Sequence, residues 1–310
     1  MGVEEKMLKV GIIGVGTMGE RHARVYSELP NVELVGVSDT DSKVAWDVSK
    51  KYHTKAFCDH KDLLKKDLDS VSVAVPTTAH KKIAVDVAAA GIDMLVEKPI
   101  ADTLKNAEDM IRATNKNNVK LMIGHIERFN PVIKVIKESI KKANVISIDI
   151  ARVGPLPPRI KDVGVVIDFA IHDIDLIRYL TNSDILDAWG FTSKDKAQNE
   201  DSAFLYFKTV NNVLAHITAN WLTPFKVREI NIATKDKFVK GWLIDQKVVE
   251  YSDYKADGTH TVKNLYVPYG EPLKLELAAF LECVKKNSVV PISGYDGLKA
   301  LEAALKCIGY

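Results

Sequence analysis

The first third of the chain alternates short apolar runs with longer amphipathic segments. The apolar runs predict strands at Leu8–Ile13, Val32–Ser38, Lys55–Phe57, Val71–Val75, Asp93–Val96 and Val119–Ile123. The segments between them predict helices at Thr17–Leu29, Asp59–Lys66, Ala79–Ala90 and Thr103–Asn117. Strands that alternate with helices are typical of βαβ units, and continuous apolar runs suit strands that are covered on both faces. The pattern therefore predicts a mainly parallel sheet.

The pattern of polar and apolar positions changes after Gly124. From about Ile185 to Val267 the residues alternate with little helix between the segments. That period of two predicts an antiparallel sheet with one face open to solvent or to a partner. Around it we expect a strand at Val145–Val153 and helices at Asn130–Lys142, Val165–Leu180, Leu273–Lys286 and Tyr295–Ile308.

Length and composition describe an ordinary globular protein. A chain of 310 residues is longer than one hydrophobic core usually serves, so two domains are expected. The formal net charge of +2 offers no electrostatic attraction to nucleic acid or to an anionic membrane, so we expect neither partner. The start of the chain lacks a signal-peptide pattern, and no apolar run approaches the ~20 residues of a membrane span.

Cysteine usage points to a reducing compartment. The three cysteines, Cys58, Cys283 and Cys307, form no C-x-x-C pair, which disfavours a disulfide framework and a zinc site. His53, Asp59 and His60 lie near Cys58, but their spacing matches no standard zinc pattern, so we interpret them as surface residues. The expectation is a cytoplasmic protein without a bound metal.

A glycine-rich turn follows the first predicted strand and precedes the first predicted helix. It fits G-x-G-x-x-G through Gly14, Gly16, Thr17, Met18 and Gly19. In this context the glycines allow a tight turn and close approach of a pyrophosphate, which the helix N-terminus then attracts. The alternative interpretation is a strand–helix turn without a ligand.

Asp39 ends the second predicted strand, about 20 residues after the turn. An acidic residue at this place accepts the ribose hydroxyls of a bound dinucleotide and repels a 2′-phosphate. NAD is therefore favoured over NADP, although Lys43 lies close enough in sequence to weaken the distinction.

Together these patterns predict an α/β protein of two domains. Residues 1–124 form a Rossmann dinucleotide-binding domain. We expect residues 125–310 to form an α+β domain built on a large, mainly antiparallel, open-faced sheet, with the last helices free to pack back on the first domain; its role in substrate binding and oligomerisation is what the family resemblance described below implies.

Two further segments carry candidate chemistry. Glu97-Lys98-Pro99 ends a predicted parallel strand, and ligands of such sheets bind at the carboxyl ends of strands. Asp168 and His172 are four residues apart, so a helix presents them on one face, where an imidazole beside a carboxylate can act as a general base. The alternatives are a surface lysine before a turn proline, and a capping aspartate with a solvated histidine.

The order of these motifs resembles the glucose–fructose oxidoreductase/inositol dehydrogenase family, also called Gfo/Idh/MocA, over nearly the whole chain. The resemblance extends to Pro76–His80, Arg128–Pro131 and Pro291–Glu302. It implies an NAD(P)-dependent oxidoreductase that acts on CH–OH groups and often assembles through the open sheet, here as a homodimer or homotetramer. One departure is the glycine-rich segment before the catalytic helix, which is reduced to Gly164-Val-Val.

The resemblance also implies functional residues. The catalytic set is Lys98, Asp168 and His172. The cofactor-binding set is Gly14, Gly16, Thr17, Met18, Gly19, Asp39, Pro76, Thr77, His80 and Glu97. The substrate-binding set is Lys98, Arg128, Asn130, Arg152, Arg159 and His172.

Within the family, Gly124–Pro131 and Val153–Arg159 are most similar to archaeal enzymes that oxidise C3 of UDP-N-acetylglucosamine. Arg128, Arg152, Arg159 and Lys161 cluster in or beside these segments. Arginines suit bidentate recognition of a diphosphate, and the alternative is that two or more of these residues form structural ion pairs. The alternative functions are a dehydrogenase of a free polyol or sugar such as myo-inositol, and a non-catalytic NAD-binding regulator of the same fold.

Overall fold

The computed structural model describes residues 7–156 and 163–309. The chain divides into two compact units. The first holds the chain up to His125 together with Leu273–Leu298, and the second holds Ile126–Pro272 together with the chain from Lys299 onward.

The first unit is built on a parallel sheet. Its strands are β1 (Leu8–Ile13), β2 (Val32–Ser38), β3 (Lys55–Phe57), β4 (Ser70–Val73), β5 (Asp93–Glu97) and β6 (Leu121–Gly124). They lie in the order β3-β2-β1-β4-β5-β6, and every neighbouring pair is parallel. This is the doubly wound order of dinucleotide-binding folds, which confirms the predicted Rossmann class.

Helices connect these strands. They are α1 (Thr17–Glu28), α2 (Ser42–Lys51), α3 (His60–Leu64), α4 (Thr77–Ala89) and α5 (Leu104–Lys116). The sequence pattern did not predict α2, although it carries a start signal. The Asp41 side chain accepts hydrogen bonds from the backbone N–H groups of Lys43 and Val44, which satisfies donors that a helix N-terminus leaves free.

The second unit is built on an eight-stranded sheet. Its strands are β7 (Val145–Pro155), β8 (Ile185–Ser193), β9 (Ser202–Thr209), β10 (Leu214–Asn220), β11 (Leu222–Thr234), β12 (Lys237–Trp242), β13 (Lys247–Ser252) and β14 (Thr261–Leu265). Their order is β14-β13-β12-β11-β7-β10-β9-β8. Among these strands β10 and β7 pair in parallel and the other neighbours are antiparallel, as predicted.

Helices cover one face of this sheet. They are a 3-10 turn (Ile126–Phe129), α6 (Pro131–Ser139), a π-helical turn (Val166–Ala170) and α7 (Ile171–Thr181). On β8 and β9, the opposite face exposes Trp189, Phe191, Phe204 and Tyr206. The sheet is therefore open-faced, as its alternating sequence predicted.

Two helices complete the chain. Helix α8 (Pro272–Lys286) and the first residues of α9 (Gly294–Cys307) belong to the first unit, which ends at Leu298. Among the helices of the described residues, none combines the length and the apolar character that crossing a membrane requires.

Candidate active site

The glycine turn leaves the start of α1 accessible. Gly14 has a φ of +85°, and a Cβ there would lie 2.7 Å from the backbone of Ala74. A Cβ at Gly19 would lie 1.9 Å from the carbonyl oxygen of Gly14, so close packing of helix and strand requires both glycines. A Cβ at the N-cap residue Gly16, by contrast, would have no described atom within 4 Å. The open space lies where a phosphate approaches a helix N-terminus.

The Asp39 carboxylate is fixed beside this turn. Its Oδ2 accepts the backbone N–H of Val15 over 2.9 Å, and its Oδ1 accepts that of Asp41 over 3.0 Å. One donor belongs to the glycine turn and the other lies two residues beyond Asp39, so these bonds hold the carboxylate at the carboxyl end of β2 next to the open helix start. This combination of groups fits the ribose and pyrophosphate of a dinucleotide.

His80 is buried behind the start of α4, which begins at Thr77 directly after Pro76. Its Nδ1 lies 3.0 Å from the Pro99 carbonyl oxygen, and its Nε2 lies 3.0 Å from that of Val75. Burial lowers the pKa of His80, although its carbonyl partners oppose that shift. His80, a predicted cofactor-binding residue, thus contacts backbone carbonyl groups through both ring nitrogens, directly after β4 and β5.

Glu97 is the last residue of β5 and is also buried. Its Oε1 lies 3.0 Å from Nε2 of His22, a fully buried histidine of α1, and its Oε2 accepts the backbone N–H of Lys98 over 3.3 Å. Burial by itself would raise the pKa of Glu97, but its bond to His22 and the charge of Lys98 hold that pKa below its usual range. Glu97 is therefore an anion, and His22 donates to it. Sequence reasoning did not single out His22.

In the second unit, Asp168 lies in the π-helical turn and His172 in the first turn of α7, and both are half-buried. The sequence predicted one continuous α-helix here. The π turn widens the helix next to the candidate catalytic pair. Single π turns within α-helices are often found at functional sites.

Glu200 accepts a hydrogen bond from the start of this helix. The Val165 backbone N–H donates to the carbonyl oxygen of Glu200 over 2.8 Å. A Cβ at Gly164 would lie 1.9 Å from the Glu200 carboxyl carbon, so the Glu200 carboxylate packs directly against the glycine that the sequence retains and would have to move for any larger residue. Burial raises the pKa of Glu200.

Two of the predicted substrate-binding arginines lie in buried ion pairs. Arg128 bonds through Nε and Nη2 to the Asp175 carboxylate, over 2.7 and 2.6 Å. Arg152, 1% exposed, bonds to both oxygens of Asp173 at 2.7 Å and to Glu127 at 2.8 Å. For these two side chains the structure therefore shows the ion pairs that the sequence left as the alternative.

The predicted substrate-binding set also contains Asn130 and Arg159. Asn130 is buried at the N-cap of α6, where its side chain accepts the Val132 N–H and donates to the Leu243 carbonyl oxygen. Arg159 lies outside the described residues.

A third arginine, Arg228 of β11, was not selected from the sequence because its strand has an ordinary alternating pattern. It is half-buried, and its guanidinium carbon lies 5.2 Å from the centre of the Phe169 ring. Burial, and secondly the neighbouring charge of Arg152, lower its pKa to about 10.

A parallel sheet in the doubly wound order, with an open glycine turn and a carboxylate fixed at the end of its second strand, is typical of dinucleotide-dependent oxidoreductases. Residues 8–125 match the family profile described as "Oxidoreductase family, NAD-binding Rossmann fold", and residues 151–237 match "GFO/IDH/MocA C-terminal domain". The chain belongs to the Gfo/Idh/MocA family of oxidoreductases, as its motifs predicted.

Known relatives include sugar and polyol dehydrogenases. The chain is 27% identical to a UDP-N-acetylglucosamine 3-dehydrogenase of Acidithiobacillus ferrooxidans, over 96% of each chain. A solved structure of the enzyme of that name from the same organism superposes with a TM-score of 0.91, at 26% identity over 97% of this chain and 96% of the other. A myo-inositol 2-dehydrogenase of Thermotoga maritima is 24% identical over 95% of this chain and 93% of its own length.

Proposed function

We propose that this oxidoreductase uses NAD to oxidise the C3 hydroxyl of UDP-N-acetylglucosamine, which yields a 3-keto sugar. The observation that carries the proposal is the similarity to the Acidithiobacillus enzyme, which covers 96% of both sequences and is accompanied by a TM-score of 0.91. A 3-keto product is a logical precursor of an amino sugar formed by a separate transaminase.

The preference for NAD over NADP rests on Asp39. Its carboxylate is held beside the glycine turn by two backbone N–H groups. A fixed negative charge at this position accepts ribose hydroxyls and repels a 2′-phosphate. The cofactor-binding roles of Gly14, Gly16, Thr17, Met18 and Gly19 belong to the same proposal.

When bound, NAD would supply the hydride acceptor, and the residues of this chain would manage one proton. In our proposal His172 takes the proton of the reacting hydroxyl as general base, and Asp168 orients its imidazole. Lys98 donates a hydrogen bond to the oxygen on which negative charge develops. An exchange of the proton-transfer roles between Lys98 and His172 is the other arrangement that these residues allow.

The test is to mix the protein with NAD and UDP-N-acetylglucosamine and to follow the absorbance of NADH over a wide pH range. We expect NADH to form, and a keto sugar to accumulate in equal amount. Absence of NADH at every pH would refute the substrate, while the family membership would stand.

The second candidate substrate is a free polyol, which the similarity to the Thermotoga myo-inositol enzyme supports. Free UDP separates the two candidates. It should compete with a nucleotide-sugar substrate and leave the oxidation of a free polyol unchanged.

We further propose that two or four copies assemble through the open face of the second sheet. Trp189 and Phe191 are 55% and 60% exposed there and stack edge to face with their ring centres 4.3 Å apart. Contiguous exposed aromatic surface of this kind marks an interaction site. Trp189→Glu should lower the mass measured by light scattering to that of a monomer; an unchanged mass would contradict this interface.

A further inference from the structure

Arg152 and Arg228 are direct cross-strand neighbours. The two residues pair in the antiparallel register of β7 and β11, which places their side chains on the same face of the sheet. Like charges at directly opposite positions are destabilising. The presence of arginines at two directly opposite positions therefore requires a physical explanation.

Arg152 has its own counter-charges. Two bonds of 2.7 Å join it to Asp173, and one of 2.8 Å joins it to Glu127. Burial opposes the charge of Arg152, but these carboxylates raise its pKa above the usual value. Arg152 is thus a satisfied structural cation.

Arg228 has a different environment. Within residues 7–156 and 163–309 no carboxylate lies within ion-pair distance of it, and its described partner is the face of the Phe169 ring. Carboxylates of Glu127, Asp173 and Asp168 act on it only through space. Since Asp173 and Glu127 already bind Arg152, they offer Arg228 little neutralisation.

The position of Arg228 relates it to the candidate chemistry of the second unit. Phe169 directly follows Asp168, and its ring packs edge to face on Trp221 with 6.0 Å between ring centres. A half-buried guanidinium against that ring lies beside the π turn that carries Asp168. A cation in such a place, with no carboxylate of the described residues bonded to it, is a candidate for binding a ligand of opposite charge.

We propose that Arg228 binds the anionic part of the substrate, a phosphate of a nucleoside-diphosphate sugar. A guanidinium presents paired N–H donors that match two phosphate oxygens, and a bound phosphate would supply a counter-charge that no described residue supplies within ion-pair distance. This inference rests on the proposed function, because a free polyol has no anion to offer. It also moves phosphate recognition from Arg128 and Arg152, which carboxylates occupy, to a residue outside the predicted set.

The experiment compares Arg228→Met and Arg228→Lys with Lys235→Met. Lys235 is an exposed lysine of the turn after β11, so its variant has the same net charge as Arg228→Met without touching the arginine pair. We expect Arg228→Met to raise KM for UDP-N-acetylglucosamine about 10- to 100-fold with a small change in kcat, because a charge-assisted bond to the remote phosphate contributes mainly to binding. Arg228→Lys should recover part of the affinity, and Lys235→Met should match the wild type.

Calorimetric titration with UDP is the second readout. UDP should bind the wild type and bind Arg228→Met at least tenfold more weakly, with a smaller dependence on salt. An unchanged KM and unchanged UDP affinity would overturn the inference. So would a fall in kcat and in melting temperature with KM unaltered, since this would make Arg228 a structural support for Phe169.

The two proposals fail in distinguishable ways. If the wild type binds UDP but does not oxidise UDP-N-acetylglucosamine, the proposed substrate is wrong, and the UDP affinity of Arg228→Met still decides the role of Arg228. If the wild type neither oxidises this sugar nucleotide nor binds UDP, both proposals are wrong.

Discussion

His22 and Glu97 form a buried hydrogen-bonded pair that joins two parts of the first unit 75 residues apart in sequence. His22 belongs to α1, the helix that follows the glycine turn, and Glu97 directly precedes Lys98. The same carboxylate also accepts the backbone N–H of Lys98. The segment that carries a candidate catalytic lysine is thus hydrogen-bonded to the helix that follows the glycine turn.

Replacing His22 by leucine should destabilise the protein by about 3–5 kcal/mol, since it leaves the buried Glu97 anion without its main partner. His22→Gln, which keeps an N–H donor near the position of Nε2, should lose much less. Urea unfolding measures both values. Equal stabilities of the two variants would show that the donor is unimportant, and adding Glu97→Gln to His22→Leu should restore part of the loss.

His80 should make stability depend on pH on the acidic side of neutrality. Burial holds its folded-state pKa below the ordinary value of 6.5. Between these two pKa values His80 is therefore protonated in the unfolded chain and neutral in the folded chain. The contribution of neutral His80 is therefore complete above pH 6.5 and is lost as the pH falls through 6.5 toward the folded-state pKa. His80→Gln should reduce the slope of the free energy of unfolding against pH, measured between about pH 5 and 7. An unchanged slope in the variant would rule His80 out as the cause.

Asp39 should control the choice between NAD and NADP. Asp39→Asn keeps hydrogen-bond acceptors for the ribose but removes the charge that repels a 2′-phosphate, so the ratio of kcat/KM values should shift toward NADP by about tenfold or more. Asp47→Asn is the control, because it removes an exposed carboxylate of α2 whose partner is Lys43, 3.7 Å away. An equal shift in both variants would indicate a general charge effect.

Lys98 should contribute to turnover and not to cofactor affinity. Lys98→Met should lower kcat about 10²- to 10⁴-fold, the range for one positioned proton donor, with NAD binding intact. Lys105→Met, an exposed lysine in the first turn of α5, is expected to behave as the wild type. Near-normal turnover of Lys98→Met would remove this lysine from the mechanism.

The features predicted well are those that local sequence encodes. The position of the glycine turn between β1 and α1, that of Asp39 after β2 and the strands around them depend on spacing within about 30 residues, and the apolar periodicity of both sheets is continuous along the chain. Helix α2, which the apolar pattern did not predict, also has a local signal in the sequence, because Asp41 lies at its N-cap.

The features that sequence could not show arise from pairs distant along the chain. The contact of Gly164 with Glu200 lies at the start of the π turn, and no periodicity reveals such a contact. Whether an arginine binds a carboxylate or stays available depends on the strand register that sets Arg152 beside Arg228. Charge type was visible in the sequence, but the pairing that neutralises it was not.

The last strand of the first sheet has a consequence for how the protein is made. The Ile123 N–H donates to the Ile292 carbonyl oxygen over 3.1 Å, and Met122 forms a β-bridge with Ser293. The ribosome synthesises β6 long before it reaches these partners. A nascent chain that has emerged only as far as His125 therefore holds a sheet edge with open hydrogen-bonding groups, a template for wrong pairing. The first unit therefore acquires all its contacts only after Leu273–Leu298 has been synthesised.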